Sequence, residues 1–206
     1  MQRIAFDFDW TRSEGGRRFF GAQGGGGTPV SLPDDYIISK ARDPKAESGS
    51  STGFYPGGRA TYSKTFDLPA DCAGKTVLLD IDGAYMNAEV TCNGDLLALH
   101  PYGYTPFTVD LSPVLRPEGN SLSISTDSVQ PSSRWYSGGG LYRQVSLLVG
   151  GACYLHPWDV FLRTVSADAG TATILCTAEV TNPGAARNLT LRLRFVGAVL
   201  GETALQ

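Results

Sequence analysis

Arg134, Trp135 and Tyr136 form the densest run of side chains able to grip a flat polar ligand. An aromatic ring stacks on the apolar face of a pyranose, and a guanidinium donates to ring hydroxyls. The run sits in a Gly- and Ser-rich loop, Ser132 to Gly140, between two stretches with strand patterning. A competing reading packs Trp135 and Tyr142 in a sandwich core or against another domain, with Arg134 and Arg143 bonding loop carbonyls. It carries weight because buried aromatics serve packing more often than ligands. For Tyr102, Tyr104 and Phe107 packing is the stronger expectation again. Other chemistry is thinner. His100 and His156 each precede a proline and find no Ser-His-Asp setting. Cys72, Cys92, Cys153 and Cys176 stand apart with no CxxC pair, so neither a metal nor a cofactor is expected. Cys92 and Cys176 fall on apolar strand positions and are expected to be buried as thiols. Asp34 and Asp35, next to Pro33, read as turn-forming side chains rather than metal ligands.

The elements that must position these residues are strands. Leu122, Ile124 and Thr126 alternate with serines; Val77, Leu79 and Ile81 share one face; Ala88, Val90 and Cys92 run into Asn93-Gly94, a hairpin turn that tolerates positive φ at both central positions. Val145, Leu147 and Val149 mark another strand, and no stretch carries a helical stripe. The fold class is all-β. Gly (25) and Pro (12) are spread along the chain, as short strands joined by tight turns require. Two segments read as long loops: Gly21 to Pro29, whose four successive glycines lack the spacing of a nucleotide cradle, and Ser39 to Gly58, of a length that tends to be functional or mobile. Beyond His156-Pro157 the alternation at Ala172 to Val180 and Leu189 to Phe195 resembles the opening of an immunoglobulin-like sandwich. Such a sandwich needs about seven strands in about 100 residues, and only half of that length follows.

With 206 residues, 42% hydrophobic and 18% charged, the chain is globular, and a net charge of −3 with dispersed Lys and Arg gives no nucleic-acid footprint. No apolar run reaches the roughly 18 residues of a membrane span. Met1 to Asp7 lacks the features of a secretion signal, so the cytoplasm is the expected location.

Five segments in order resemble the N-terminal region of glycoside hydrolase family 2, which contains β-galactosidases, β-glucuronidases and β-mannosidases. Val30-Ser31-Leu32-Pro33-Asp34-Asp35-Tyr36 is similar to V-x-L-P-H-D-W, with Asp34 and Tyr36 replacing His and Trp. Gly57-Gly58 through Phe66 resembles G-G-x-x-x-Y-R-K-x-F. Asp82-Gly83-Ala84 through Asn93-Gly94 resembles the D-G-V … V-N-G hairpin. His100 to Phe107 matches H-x-x-G-Y-T-P-F, and Ser133 to Arg143 resembles S-R-W-Y-S-G-x-G-I-Y-R. The last two segments are most similar to bacterial β-galactosidases. The resemblance implies a galactose-binding-like jelly-roll sandwich over residues 1–155 and a truncated immunoglobulin-like sandwich over 156–206. It also implies a following TIM barrel that holds two catalytic glutamates and meets a β-galactoside. In that family, loops of the first domain reach the rim of the active site, which makes Arg134, Trp135 and Tyr136 substrate-rim candidates. A free-standing carbohydrate-binding module and an interaction sandwich without sugar ligand are the alternatives. Leu189, Leu191, Leu193 and Phe195 would present one apolar face without a partner sheet, so a homodimer is expected, with the tail covered by a second copy or by the first domain.

Retaining hydrolysis needs two carboxylates about 5–5.5 Å apart. None of Glu14, Glu47, Glu89, Glu118, Glu179 and Glu202 follows an Asn as the family's acid/base does, and a barrel needs roughly 250 residues of alternating strands and helices. Purified alone, this chain is expected to show no turnover of aryl β-galactosides. Turnover that disappears on mutating one of its acidic residues would contradict the reading.

Overall fold

The computed structural model describes residues 1–15, 27–132, 136, 138–186, 188–195 and 198–205. They are nearly all strand and connection, and they form two compact units, Gln2–Gly150 and Gly151–Gln206, with Met1 grouped with the second. The first unit is a sandwich of two antiparallel sheets. One sheet has the order β1 (Gln2–Ala5), β10 (Val145–Gly150), β5 (Thr76–Ile81), β8 (Phe107–Asp110). The other has the order β3 (Thr28–Val30), β2 (Trp10–Glu14), β4 (Gly58–Phe66), β9 (Asn120–Ser128), β6 (Ala88–Cys92), β7 (Asp95–His100). Two short 3₁₀ turns, Gly49–Thr52 and Ala70–Cys72, interrupt the connections.

Alternation explains which face each strand buries. Val77, Leu79 and Ile81 of β5 join Val145, Leu147 and Val149 of β10 on the inner face of one sheet. Trp10, Tyr62, Val90, Leu122 and Ile124 face them from the other. Each such side chain contributes about 1.5–3 kcal/mol on full burial, which makes this layer the main source of cohesion. Asn93 and Gly94 take φ of 52° and 102° and turn β6 into β7, as their sequence predicts. The outer face of the β5–β10 pair is also buried: Leu78, Asp80, Ser146 and Leu148 are all below a tenth exposed. A buried carboxylate needs a counter-charge. Arg3 supplies it, lying 2.7 Å from Asp80 and donating to Ser146 Oγ at 3.0 Å.

The second unit contains two hairpins, β11 (Tyr154–Ala167) with β12 (Ala172–Thr181) and β13 (Leu189–Phe195) with β14 (Ala198–Leu205). The sequence pointed to β13 as the uncovered apolar face. In the structure Leu189, Leu191 and Leu193 are half-buried, and the first two line a hollow of ≈260 Å³ with Tyr154, Leu155 and Val180. The exposed apolar surface lies on the other hairpin, where Trp158, Phe161, Leu162 and Val165 are each more than half exposed. Cys176 on β12 is therefore half-exposed rather than buried, whereas Cys72 and Cys92 are buried in the sandwich. Burial pushes the Cys92 thiol up to about 11.

Candidate functional site

The segment Leu32 to Ile37 enters the sandwich at Leu32, whose N–H donates to Asp7 O at 2.8 Å. Asp34 and Asp35 then diverge. Arg12 Nη1 donates to both oxygens of Asp34, at 2.9 and 2.8 Å, and Arg12 Nη2 lies 3.2 Å from Glu14. Tyr62, fully buried in β4, donates its hydroxyl to Asp34 Oδ2 at 2.8 Å. Burial and then the adjacent Asp34 charge hold the Tyr62 phenol well above its ordinary range. Tyr36, also fully buried, donates to Gly58 O and is pushed up to about 12, chiefly by desolvation.

Asp35 forms the turn that its sequence context predicts, accepting from Ile37 N–H at 3.0 Å and Ile38 N–H at 3.2 Å. It also reaches a segment a hundred residues away. Oδ1 accepts from Gly139 N–H at 3.0 Å, and Oδ2 accepts from the Tyr136 hydroxyl at 2.7 Å. Backbone bonds run alongside, from Asp34 N–H to Leu141 O at 2.8 Å and from Tyr36 N–H to Gly139 O at 3.1 Å. Gly140 exchanges two 2.9 Å bonds with Tyr85. The Gly138-Gly139-Gly140 run follows from this close approach. A Cβ on Gly138 would lie 1.8 Å from Asp35 Oδ2, one on Gly139 2.3 Å from Ser128 Oγ, and one on Gly140 2.2 Å from the Tyr62 hydroxyl. Gly140 also has φ of +112°, a region that L side chains avoid.

Tyr136 is the hub of an aromatic cluster. Its ring lies 5.1 Å from Tyr85, 5.0 Å from Tyr142 and 6.4 Å from Tyr104. Burial, and then the Asp35 carboxylate, raise the Tyr136 phenol above its ordinary value. Of the three rim candidates only Tyr136 falls within the described residues; Arg134 and Trp135 lie outside them. Tyr142 is half-buried and packs as expected. Arg143 is exposed, with its guanidinium 5.4 Å from the centre of the Tyr142 ring. Tyr102 is 57% exposed and Tyr104 38%, so neither packs in the sandwich core; their loop turns its glycine, not its rings, inward. Phe107 is half-buried and stacks on His100 at 4.1 Å.

The long Ser39 to Gly58 segment is an ordered loop closed on itself by Asp43 N–H to Phe54 O at 2.8 Å. Gln130 fastens it, donating to Tyr55 O at 3.0 Å and accepting from Ser48 N–H at 3.4 Å. Between this loop and the end of β9 lies an open cleft of ≈580 Å³, lined by Asp43, Lys45, Glu47, Asp127 and Gln130 among others. Its carboxylates and amide suit a hydroxyl-rich ligand. Only the sequence separation of its two walls hid it, since Gln130 carries no local signal for such a role. Among the described residues no three His, Cys, Asp or Glu side chains converge as a metal site requires.

No family model matches the chain. It is 39% identical over 165 residues to beta-galactosidase BoGH2A of Bacteroides ovatus, covering 79% of this chain and 19% of that protein. It is 32% identical over 152 residues to a putative beta-glucuronidase of Formosa agariphila, covering 73% of this chain and 15% of the relative. The chain thus spans less than a fifth of the length of either of these relatives. Among solved structures, a beta-glycosidase from Bacteroides vulgatus superposes with a TM-score of 0.85 at 26% identity, over 99% of this chain and 28% of that one. A glycosyl hydrolase family 2 member from Bacteroides cellulosilyticus gives 0.82 at 25% identity, over 100% and 29%.

Replacing Asp35 by Asn removes a charge that favours the neutral Tyr136 phenol, so Tyr136 in Asp35→Asn is expected to ionise at lower pH. The sign also fixes the alkaline behaviour. A phenol raised in the folded state contributes stability that is fully present below its unfolded value, about pH 10, and is lost as pH rises through the folded value. Asp35→Asn should therefore flatten the alkaline fall in stability, measured by urea unfolding with the Tyr136 ring carbon followed by NMR. An unchanged Tyr136 titration would show that the 2.7 Å bond is not made in solution.

Proposed function

This chain belongs to glycoside hydrolase family 2 as the N-terminal β-region of such an enzyme, and on that premise we propose that it is the non-catalytic front end of a retaining β-galactosidase. Its part is to form the scaffold and one side of the substrate rim. The two carboxylates of hydrolysis, one as nucleophile and one as acid and base, belong to a β/α barrel outside this sequence. What this chain supplies is position. The observation that carries the reading is the Asp35 clamp: one carboxylate is bonded to both the Tyr136 hydroxyl and the Gly139 amide and anchors those two residues to the Leu32 to Ile37 segment. A side chain that touches a sugar must be held to a fraction of an ångström to help in the transition state, and Tyr136, braced by Asp35 and Tyr85, meets that need. The greater identity to a β-galactosidase than to a β-glucuronidase supports a galactoside substrate. The residues 156–206 would then begin an immunoglobulin-like linker. With that linker separated from its partners, the exposed apolar side chains of β11 and β12 favour association of the chain with a second copy.

In the enzyme expressed with its barrel, Trp135→Ala is expected to lower kcat/KM for an aryl β-galactoside by about tenfold, the equivalent of roughly 1.4 kcal/mol of transition-state binding. The melting temperature should stay within a few degrees of the parent. The parent should also prefer the galactoside to the matching β-glucuronide. Unchanged kcat/KM in Trp135→Ala would remove the rim role, and a preference for the glucuronide would overturn the substrate.

A further inference from the structure

Tyr102 and Tyr104 are the residues that the cluster around Tyr136 leaves facing solvent. Their loop is built outward by Gly103, which is buried; a Cβ there would lie 2.3 Å from the Tyr85 ring. With the intervening residue pressed inward, the two flanking rings stand out, 57% and 38% exposed, with centroids 5.6 Å apart and planes inclined at 58°. Three bonds fix the loop. Asn87 N–H donates to Pro101 O at 3.1 Å, the Tyr142 hydroxyl donates to Gly103 O at 2.8 Å, and His100 Nε2 and Thr105 Oγ1 are 3.1 Å apart. Tyr104 is braced from behind, edge-on against Tyr85 at 5.4 Å. Two solvent-facing aromatic rings are thus held in place before any ligand arrives, and little ordering cost remains for binding.

We propose that Tyr102 and Tyr104 form a stacking platform for successive pyranose rings of a neutral oligosaccharide. The chemistry of the face favours a sugar over another protein. Each ring offers an apolar face with a polar tip, and the adjoining Thr105 is an exposed polar residue. Behind the loop, the Arg143 guanidinium lies 5.4 Å from the centre of the Tyr142 ring, whose hydroxyl holds Gly103. The shape favours a chain over a single sugar. A monosaccharide depends on enclosure, whereas the hollow behind Tyr85 and Tyr136 is only ≈10 Å³. An open face gains affinity by adding weak contacts along a polymer. The identity of the sugar as β-galactosyl rests on the function proposed above; the platform does not.

The test is electrophoresis of the full chain through native gels containing soluble β-1,4-galactan, hydroxyethyl cellulose or polygalacturonate, beside titrations with free galactose. Galactan should retard the chain, free galactose should bind at least tenfold more weakly than β-1,4-galactotetraose titrated in the same way, and Tyr102→Ala and Tyr104→Ala should each cut retardation at least fivefold. Tyr102→Phe, which keeps the ring, should retain most of it, and Leu99→Ala, an exposed change on β7, all of it. Near-ultraviolet circular dichroism of each variant confirms the fold. Retardation by hydroxyethyl cellulose but not by galactan, lost in the same variants, would support the platform while failing the galactoside reading. Absence of retardation in all three gels, or equal retardation of the alanine variants, would overturn the platform. So would alanine variants whose only change is in the sedimentation of the chain, which would make the face a protein contact.

Discussion

Asp34 and Asp35 are adjacent in the chain and bind in different directions, and one end of the sandwich is organised by that divergence. Asp34 is drawn onto the six-stranded sheet by Arg12 and Tyr62, while Asp35 takes the Tyr136 hydroxyl and the Gly139 amide. Hydrogen bonds to a charged acceptor are worth about 1.5–3 kcal/mol each when buried. A pair of carboxylates in one turn therefore outweighs any single packing contact at this end. Removing the Asp34 carboxylate would take away the ion pair to Arg12, and removing that of Asp35 would leave the glycine run held by its backbone bonds to Tyr36 and Tyr85 and by the neighbouring bond from Asp34 to Leu141.

Everything nearby is shaped to admit that contact. Three successive glycines are needed because Asp35, Ser128 and Tyr62 each occupy the space where a side chain would stand. With the loop drawn in, Tyr136 meets Tyr85 and Tyr142, and these in turn carry the Tyr102 to Thr105 loop. A polar clamp, a glycine run and an aromatic stack are thus one device seen at three levels. Its output is a fixed Gly138 to Leu141 run and a fixed outward face at Tyr102 and Tyr104.

The strands were legible because their signal is local. Val77, Leu79 and Ile81 alternate, and Asn93-Gly94 encodes its own turn. The LPDDY segment was legible as a turn and as a family feature, but its reach to Gly139 was not, since a carboxylate in a turn gives no sign of a partner a hundred residues on. The outward setting of Tyr102 and Tyr104 on the sandwich was hidden for a similar reason: the decisive fact, Gly103 against the Tyr85 ring, is a tertiary one. Asp80 looked like an outward polar position of an alternating strand. It is buried because the outer face of its sheet is covered too, and Arg3 makes that tolerable. Gln130 holds the long loop through its side-chain amide, a role no composition rule foresees.

The central claim is that a glycine-rich connection is held as firmly as the core, and native-state amide hydrogen exchange reads this directly. The N–H of Gly139, bonded to Asp35, and that of Gly140, bonded to Tyr85 O, should exchange in the slow class of Ile124 in the middle of β9. The amide of Gly74, in an exposed turn, should exchange in the fast class. Gly139 and Gly140 exchanging at the rate of Gly74 would show that the carboxylate clamp does not hold the loop, and the account of the site would be wrong.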